Sequence, residues 1–313
     1  MTKNFSIAHI SDLHLSPEFR RQNIRHAKRL FEYIAARDVD HLVITGDIAA
    51  DARPKDFEIA RSILSSFGFL DPRKTTIIPG NHDIYGGVHT AEDVLEFPSR
   101  CRRTDLQRSL DQFARHFKEL FEGCRFDGPG ISYPFLKEVG PVVLLGMNSI
   151  PPYSVVKNPV GSNGRVSRGQ IDAARKLLKL HPKDSKSRIV LIHHHFNKPD
   201  GPKNRGVGGL WGNFEQQTMK LWKKKRLFKF FQEEEIDVVL HGHLHANAAY
   251  LRKGVRFLNA GGSVMGQQGN SAYVNIIALE RGRLVSEFQS VSGDSATGRP
   301  RSTRDEVPMA IAS

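Results

Sequence analysis

Five apolar runs in this chain stop in the same way, each giving way to aspartate, asparagine or histidine. They are "FSIAHISDLH" with Asp12 and His14, "LVITGD" with Asp47, "TIIPGNHD" with Asn81 and His82, "IVLIHHH" with His193, His194 and His195, and "DVVLHGHLH" with His241, His243 and His245. Short apolar runs bounded by turn formers read as buried strands. Helical patterns separate the first three. One carries Ile24, Ala27, Leu30, Phe31 and Ile34 at helical spacing; the next opens with Pro54 and sets Phe57, Ala60, Ile63 and Leu64 on one face. A β-α-β-α-β order predicts a largely parallel layer flanked by helices. Ligands of such sheets gather outside the carboxyl ends of the strands. Here those ends offer oxygen and imidazole donors and almost nothing else.

The second half repeats the pattern less evenly. "LQRSLDQFARHFKELFEG" reads as one helix, and "ISYPFLKEVG" with "PVVLLGMNSI" as a hairpin turning near Gly140 and Pro141. A Pro/Gly/Ser/Asn-rich loop follows, then the helix "RGQIDAARKLLKL", the triple-histidine strand and a second long loop, "NKPDGPKNRGVGGLWGN". Loops of that length in a domain are often functional. A basic helix over 218–231 sets Met219, Leu227 and Phe230 on one side with Trp222 nearby, and leaves Leu221 and Phe228 among Lys224, Lys225 and Lys229. That mixture suits either a solvated basic face or peripheral contact with an anionic membrane. The two strand groups predict an α/β fold of two facing sheets with helices outside. One domain is expected over 1–290, with 291–313 a disordered polar tail. No internal repeat is evident.

Composition narrows the partners. With 39% apolar and 25% charged residues, 313 residues suffice for a sizeable core. No apolar run approaches the ~20 residues of a membrane span, and the opening "MTKNFSIAHISD" lacks the parts of a secretory signal. A cytoplasmic protein is the expectation. Cys101 and Cys124 alone make neither a disulfide framework nor a thiolate zinc site. The net charge of +13 favours anionic partners.

In an extended chain Asp12 and His14, two apart, share a side. One octahedral cation could take Asp12, His14, Asp47 and His245; a second could take Asp47, Asn81, His193 and His243. Sharing Asp47 would set the two cations ~3.5–4 Å apart. Gly46, Gly80 and Gly242 each precede a proposed ligand, where the backbone must turn tightly and let an ion approach.

The ordered series Asp12-x-His14, Gly46-Asp47, Gly80-Asn81-His82-Asp83, His193 and Gly242-His243-x-His245 resembles the calcineurin-like metallophosphoesterases, over about residues 5 to 260. The resemblance implies a four-layer α-β-β-α sandwich with two facing mixed sheets, a dinuclear metal site at the strand ends and hydrolysis of a phosphate ester. It also assigns the fourth motif to His193, with His194 the alternative. The family often places proline soon after this histidine, where Phe196 and Asn197 stand here.

Two cations would neutralise phosphoryl oxygens and acidify water for attack on phosphorus. The donor types suit manganese, iron, zinc or cobalt, as divalent or mixed-valence ions. His82 is the candidate to hydrogen-bond the phosphoryl group or protonate the leaving oxygen. Asp83 either accepts the other N–H of His82 or serves as a turn residue. His194, His195 and His241 adjoin ligands as supporting groups, His9 is read as structural, and His41 and His89 take no role. Histidine after asparagine resembles the cyclic-nucleotide phosphodiesterase-like branch, so a small anionic phosphodiester is the expected substrate. The alternatives are a lipid-linked nucleotide or pyrophosphate at a membrane surface, a nuclease, and a non-catalytic scaffold. A nuclease would need a basic groove with interleaved aromatics, which is not clear here. A scaffold would be expected to have lost ligands, and all seven positions are filled.

Overall fold

The computed structural model describes residues 5–181, 186–196, 219, 221–265, 272–280 and 283–291, with the backbone of 302–305. The first sheet is built on β1 (Phe5–Ile10), β2 (His41–Ile44) and β3 (Thr75–Ile77), all parallel. Helices α1 (Arg21–Ala35) and α2 (Pro54–Ser66) connect them. Ala27, Leu30, Phe31 and Ile34 form the buried stripe of α1, and Pro54 opens α2, where its missing N–H costs nothing. A short helix, α3 (His82–Tyr85), follows β3, and α4 (Ala91–Arg103) and α5 (Leu106–His116) come next. The pattern above did not reveal α4, which a Thr90–Asp93 capping box starts.

The second sheet takes β4 (Arg125–Phe126), β5 (Phe135–Val139), β6 (Val142–Gly146), β8 (Ser187–Leu191), β10 (Val238–His241), β11 (Asn247–Arg252) and β12 (Val255–Ala260). Its order is β11-β12-β10-β8-β6-β5-β4. The expected hairpin is β5–β6, turning at Gly140 and Pro141. A separate two-stranded ladder pairs β7 (Gly164–Arg165) with β9 (Leu221–Trp222). Helices α6 (Arg168–Lys179) and α7 (Lys224–Glu233) complete this half. The first sheet is finished by β13 (Ala272–Glu280), β14 (Arg283–Val291) and β15 (Ser302–Asp305). There β13 lies antiparallel against β1, so the sheet order is β15-β14-β13-β1-β2-β3.

Alternation along the second sheet divides the interior. Val142, Leu144, Ile189, Leu191, Val238 and Leu240 join the apolar cluster of the first sheet, α1 and α2. Their neighbours Val143, Leu145, Val190, Ile192 and Val239 join the cluster of α6 and α7. The result is the expected α-β-β-α sandwich of two mixed sheets. No described helix is long and apolar enough to cross a membrane.

Three expectations change. The single helix expected after Leu106 ends at His116 and resumes as a 3-10 turn, Lys118–Phe121. The break frees the Leu120 carbonyl to accept the buried Lys137 ammonium at 2.8 Å. The basic helix expected over 218–231 begins only at Lys224. Leu221 and Trp222 are strand, and Lys223 at φ 62° ends it. Phe228, expected among lysines, is buried against Phe196, Phe231 and Phe257. Within the tail expected to be disordered, Ser302–Asp305 pairs antiparallel with β14, because a sheet edge recruits backbone rather than apolar side chains. The second long loop, 197–213, and residues 218 and 220 lie outside the described residues.

Candidate metal centre

The carboxyl ends of five strands, three from the first sheet and two from the second, meet at one place. Asp12 and His14 do not share a side through strand alternation, since β1 ends at Ile10. Both have left-handed backbones, φ 56° and 43°, as do Asp47 at 52° and His243 at 72°. L-residues pay roughly 1–2 kcal/mol each for this conformation, and such strain collects at functional sites. Backbone bonds between the two loops hold it: Asp12 N–H to the Gly46 carbonyl at 3.0 Å and His14 N–H to that of Asp47 at 2.9 Å. The glycines answer to close packing of these loops. A Cβ on Gly80 would collide with the Asp47 carboxylate, and one on Gly242 with Ser11 and Asp12.

The donor atoms form two overlapping sets. In the first, His14 Nε2 lies 3.1 Å from His245 Nε2 and 3.9 Å from Asp12 Oδ1, which is 3.6 Å from His245 Nε2. In the second, His193 Nε2 lies 3.0 Å from Asn81 Oδ1 and 3.2 Å from His243 Nδ1. Asp47 Oδ2 joins them, 3.7 Å from His14 Nε2 and 3.3 Å from His193 Nε2. Among the described residues, Asp12–His14–His245 and Asp47–His193–His243 could each hold an ion, as could His14–Asp47–His82. All seven predicted ligands are therefore brought together. Ring nitrogens facing each other at such distances, with carboxylates between, suit borderline and hard cations.

Burial opposes charge here, and the neighbours decide who carries it. Burial raises Asp12. It would also raise Asp47, but His193 and His82 hold that carboxyl well below its ordinary range. Burial alone would depress His193, yet Asp47 and then Asp12 lift it to about 9. His14 and His243 fall well below the usual imidazole value, from burial and neighbouring imidazoles.

The surrounding histidines are pinned. His193 Nδ1 donates to the Thr45 carbonyl at 2.8 Å, which leaves Nε2 for the site. His194 instead hydrogen-bonds Ser149 Oγ at 2.7 Å, so the geometry favours His193 over His194 as the donor. His195 stacks on His243, and His241 Nε2 meets the Tyr250 hydroxyl at 2.7 Å. His9 bonds Thr45 Oγ1 and His41 bonds Thr76 Oγ1, both buried structural contacts.

His82 sits beside His14, ring centroids 4.5 Å apart. Its Nδ1 lies 3.1 Å from the Ala50 carbonyl, which can only accept, so Nδ1 donates and Nε2 is free for substrate. Asp83 does not orient this ring. Its carboxylate accepts the Ala49 and Gly80 N–H groups, each at 2.8 Å, bracing the loops that carry Asp47 and Asn81. Adjacent helical residues do not face each other. Burial lifts the Asp83 carboxyl to about 7, helped by Asp47. Sequence reasoning missed the support behind His82. Gly87 packs on the ring, its N–H donating to Asp51 Oδ1 at 3.2 Å and its carbonyl accepting from the Arg100 guanidinium. The Gly-Gly pair after α3 is the signal that marked it.

Two facing mixed sheets that pool aspartate, asparagine and histidine at their strand ends define a metal-dependent phosphoesterase fold. A family model for calcineurin-like phosphoesterase matches residues 5–247, and the chain belongs to that family. No curated protein matches it by sequence. Among solved structures it is similar to a dimetal phosphatase from Danio rerio, with TM-score 0.56 and 12% identity, covering 92% of this chain and 98% of that one. A purple acid phosphatase from yellow lupin (Lupinus luteus) seeds gives TM-score 0.57 and 10% identity, over 96% of this chain and 53% of the lupin protein. The anchor in the inner membrane complex of Plasmodium gives TM-score 0.51 and 12% identity, over 98% and 90%. Likeness at such identity establishes the fold alone.

Proposed function

We propose that this chain is a phosphodiesterase for cyclic nucleotides or related small phosphodiesters. One cation would be held by Asp12, His14, Asp47 and His245, the other by Asp47, Asn81, His193 and His243, the ions being manganese, iron, zinc or cobalt. When bound, such a pair supplies positive charge for phosphoryl oxygens and lowers the pKa of water. The chain's own groups do the rest. Asp47 ties the two donor sets together, and Asp83 keeps its loop against Gly80. His82 presents Nε2 toward the reacting phosphoryl group and, when protonated, donates to the leaving oxygen.

The observation that carries the diester reading is the fixed tautomer of His82 at the edge of the cluster. An alkoxide leaving group needs a proton more than most; with Nδ1–H committed to the Ala50 carbonyl, Nε2 is the remaining ring atom, and it gives a proton only from the doubly protonated ring. Hydrolysis of bis(p-nitrophenyl) phosphate against the monoester, with Mn²⁺ and with chelator, is the first test. Manganese-dependent turnover favouring the diester supports the reading; preference for the monoester, or no turnover, defeats it. Cyclic AMP then tests the substrate.

A second reading, a lipid-linked nucleotide or pyrophosphate hydrolase contacting anionic membrane, draws on Trp222, 41% exposed beside Lys223, Lys225 and Arg226. Against it, Leu227, Phe228, Phe230 and Phe231 of α7 are all buried. Co-sedimentation with phosphatidylserine vesicles distinguishes the two.

A further inference from the structure

A cavity of about 600 Å³ is lined by Ile150, Pro151, Tyr153, Lys157, Arg165 and Trp222, with Lys223 at its edge. Among the described residues, its lining contains three cationic side chains and no carboxylate. Elsewhere the arginines Arg53, Arg61, Arg73, Arg100 and Arg175 pair with carboxylates. Lys157, Arg165 and Lys223 are exposed, and none forms an ion pair with a described residue. Cations left unpaired around a concave, partly aromatic wall suit an anion with a flat apolar body.

The β7–β9 ladder explains why those groups point outward. Arg165 and Trp222 are register partners, so they stand side by side on one face. Their neighbours Gly164 and Leu221 turn the other way, and both are buried. Gly164 lies so close to the His194 ring that a Cβ would collide with it. The His194 ring is in turn 4.5 Å from that of His243. The opposite wall is tied to the helix of His82: the Tyr85 hydroxyl donates to the Pro151 carbonyl at 2.7 Å. Asn158, buried, braces the loop by donating to Pro151 at 3.2 Å and accepting from Asn163 N–H at 3.0 Å. The cavity is thus preformed and joined to the metal centre on two sides.

We propose that it is a nucleotide subsite, seating a heteroaromatic base against Trp222 and Tyr153 and a phosphate among Lys157, Arg165 and Lys223. Its place in turnover, holding a nucleoside phosphate end of the substrate while another phosphate reacts, rests on the phosphodiesterase reading above. Substrates carrying a second phosphate, such as linear dinucleotides, would use both places; a cyclic mononucleotide would use one.

The test is calorimetric titration of the full-length chain, with Mn²⁺ and again after chelation, using AMP, adenosine and inorganic phosphate. After chelation AMP should bind at least about tenfold tighter than either half alone. Trp222→Ala and Lys157→Ala, both at exposed positions, should each weaken it about tenfold, with unchanged circular dichroism. AMP binding no tighter than phosphate, or equal in both variants and the parent, overturns the assignment. So does tighter binding of a short-chain phosphatidate. Because binding is read without turnover, loss of the subsite and failure of the diester assay are separate results.

Discussion

Asp47 Oδ2 stands within 4 Å of imidazole nitrogens from both donor sets, so the Asp47→Asn variant should lose both cations. His82→Ala should keep its metal and slow turnover by about 100-fold, as loss of a positioned proton donor does. Metal analysis beside kcat separates these outcomes, and equal metal loss in both variants would contradict the division of roles. Gly87→Ala belongs with His82: a Cβ there would lie 2.7 Å from His82 Nδ1 and displace the ring. It should lower kcat and spare metal content. The seven donors were legible because each follows an apolar run. The left-handed backbones of Asp12, His14, Asp47 and His243 were not, since nothing in "SDLH" distinguishes a strand's alternation from two αL kinks. Nor was the more distant partner of Asp83, the Ala49 N–H, which lies on a loop more than thirty residues away.

At the level of elements, long-range polar contacts decided what periodicity could not. Lys137 and the Leu120 carbonyl set the break after α5, and pairing with β7 drew Leu221 and Trp222 out of the basic helix. The same region offers a pH test. Arg61 of α2 grips Glu119 of the 3-10 turn through two hydrogen bonds of 2.8 Å. These bonds hold the Glu119 carboxyl at about 2, below its ordinary 4.5. A carboxyl depressed by folding stabilises fully above its ordinary value, and the gain drains away as pH falls through the folded value. Glu119→Gln should therefore melt about 2 °C below the parent near neutrality. That gap should close as pH falls below 4.5 toward 2. A constant gap would mean the charge of Glu119 contributes nothing.

For the whole molecule, the centre draws Asp12, His14, Asp47 and Asn81 from one sheet and His193, His243 and His245 from the other. Bound cations would therefore fasten the two halves. Chelation should lower Tm by several degrees and Mn²⁺ restore it, since a ligand that binds only the folded state stabilises it by mass action. An unchanged Tm would separate metal binding from sheet packing. The β-α-β opening and the two strand groups were readable from pattern alone, but nothing local could place β13 beside β1. That neighbour relation bears on how the sheet closes. Phe5 pairs with Leu279, so β1 keeps one edge bare until β13, far along the chain, is in place. An unpaired edge of that kind recruits other chains, and long-range closure is slow. The first sheet is therefore closed by a contact between distant stretches of the chain, and β1 stays a pairing edge until that contact forms.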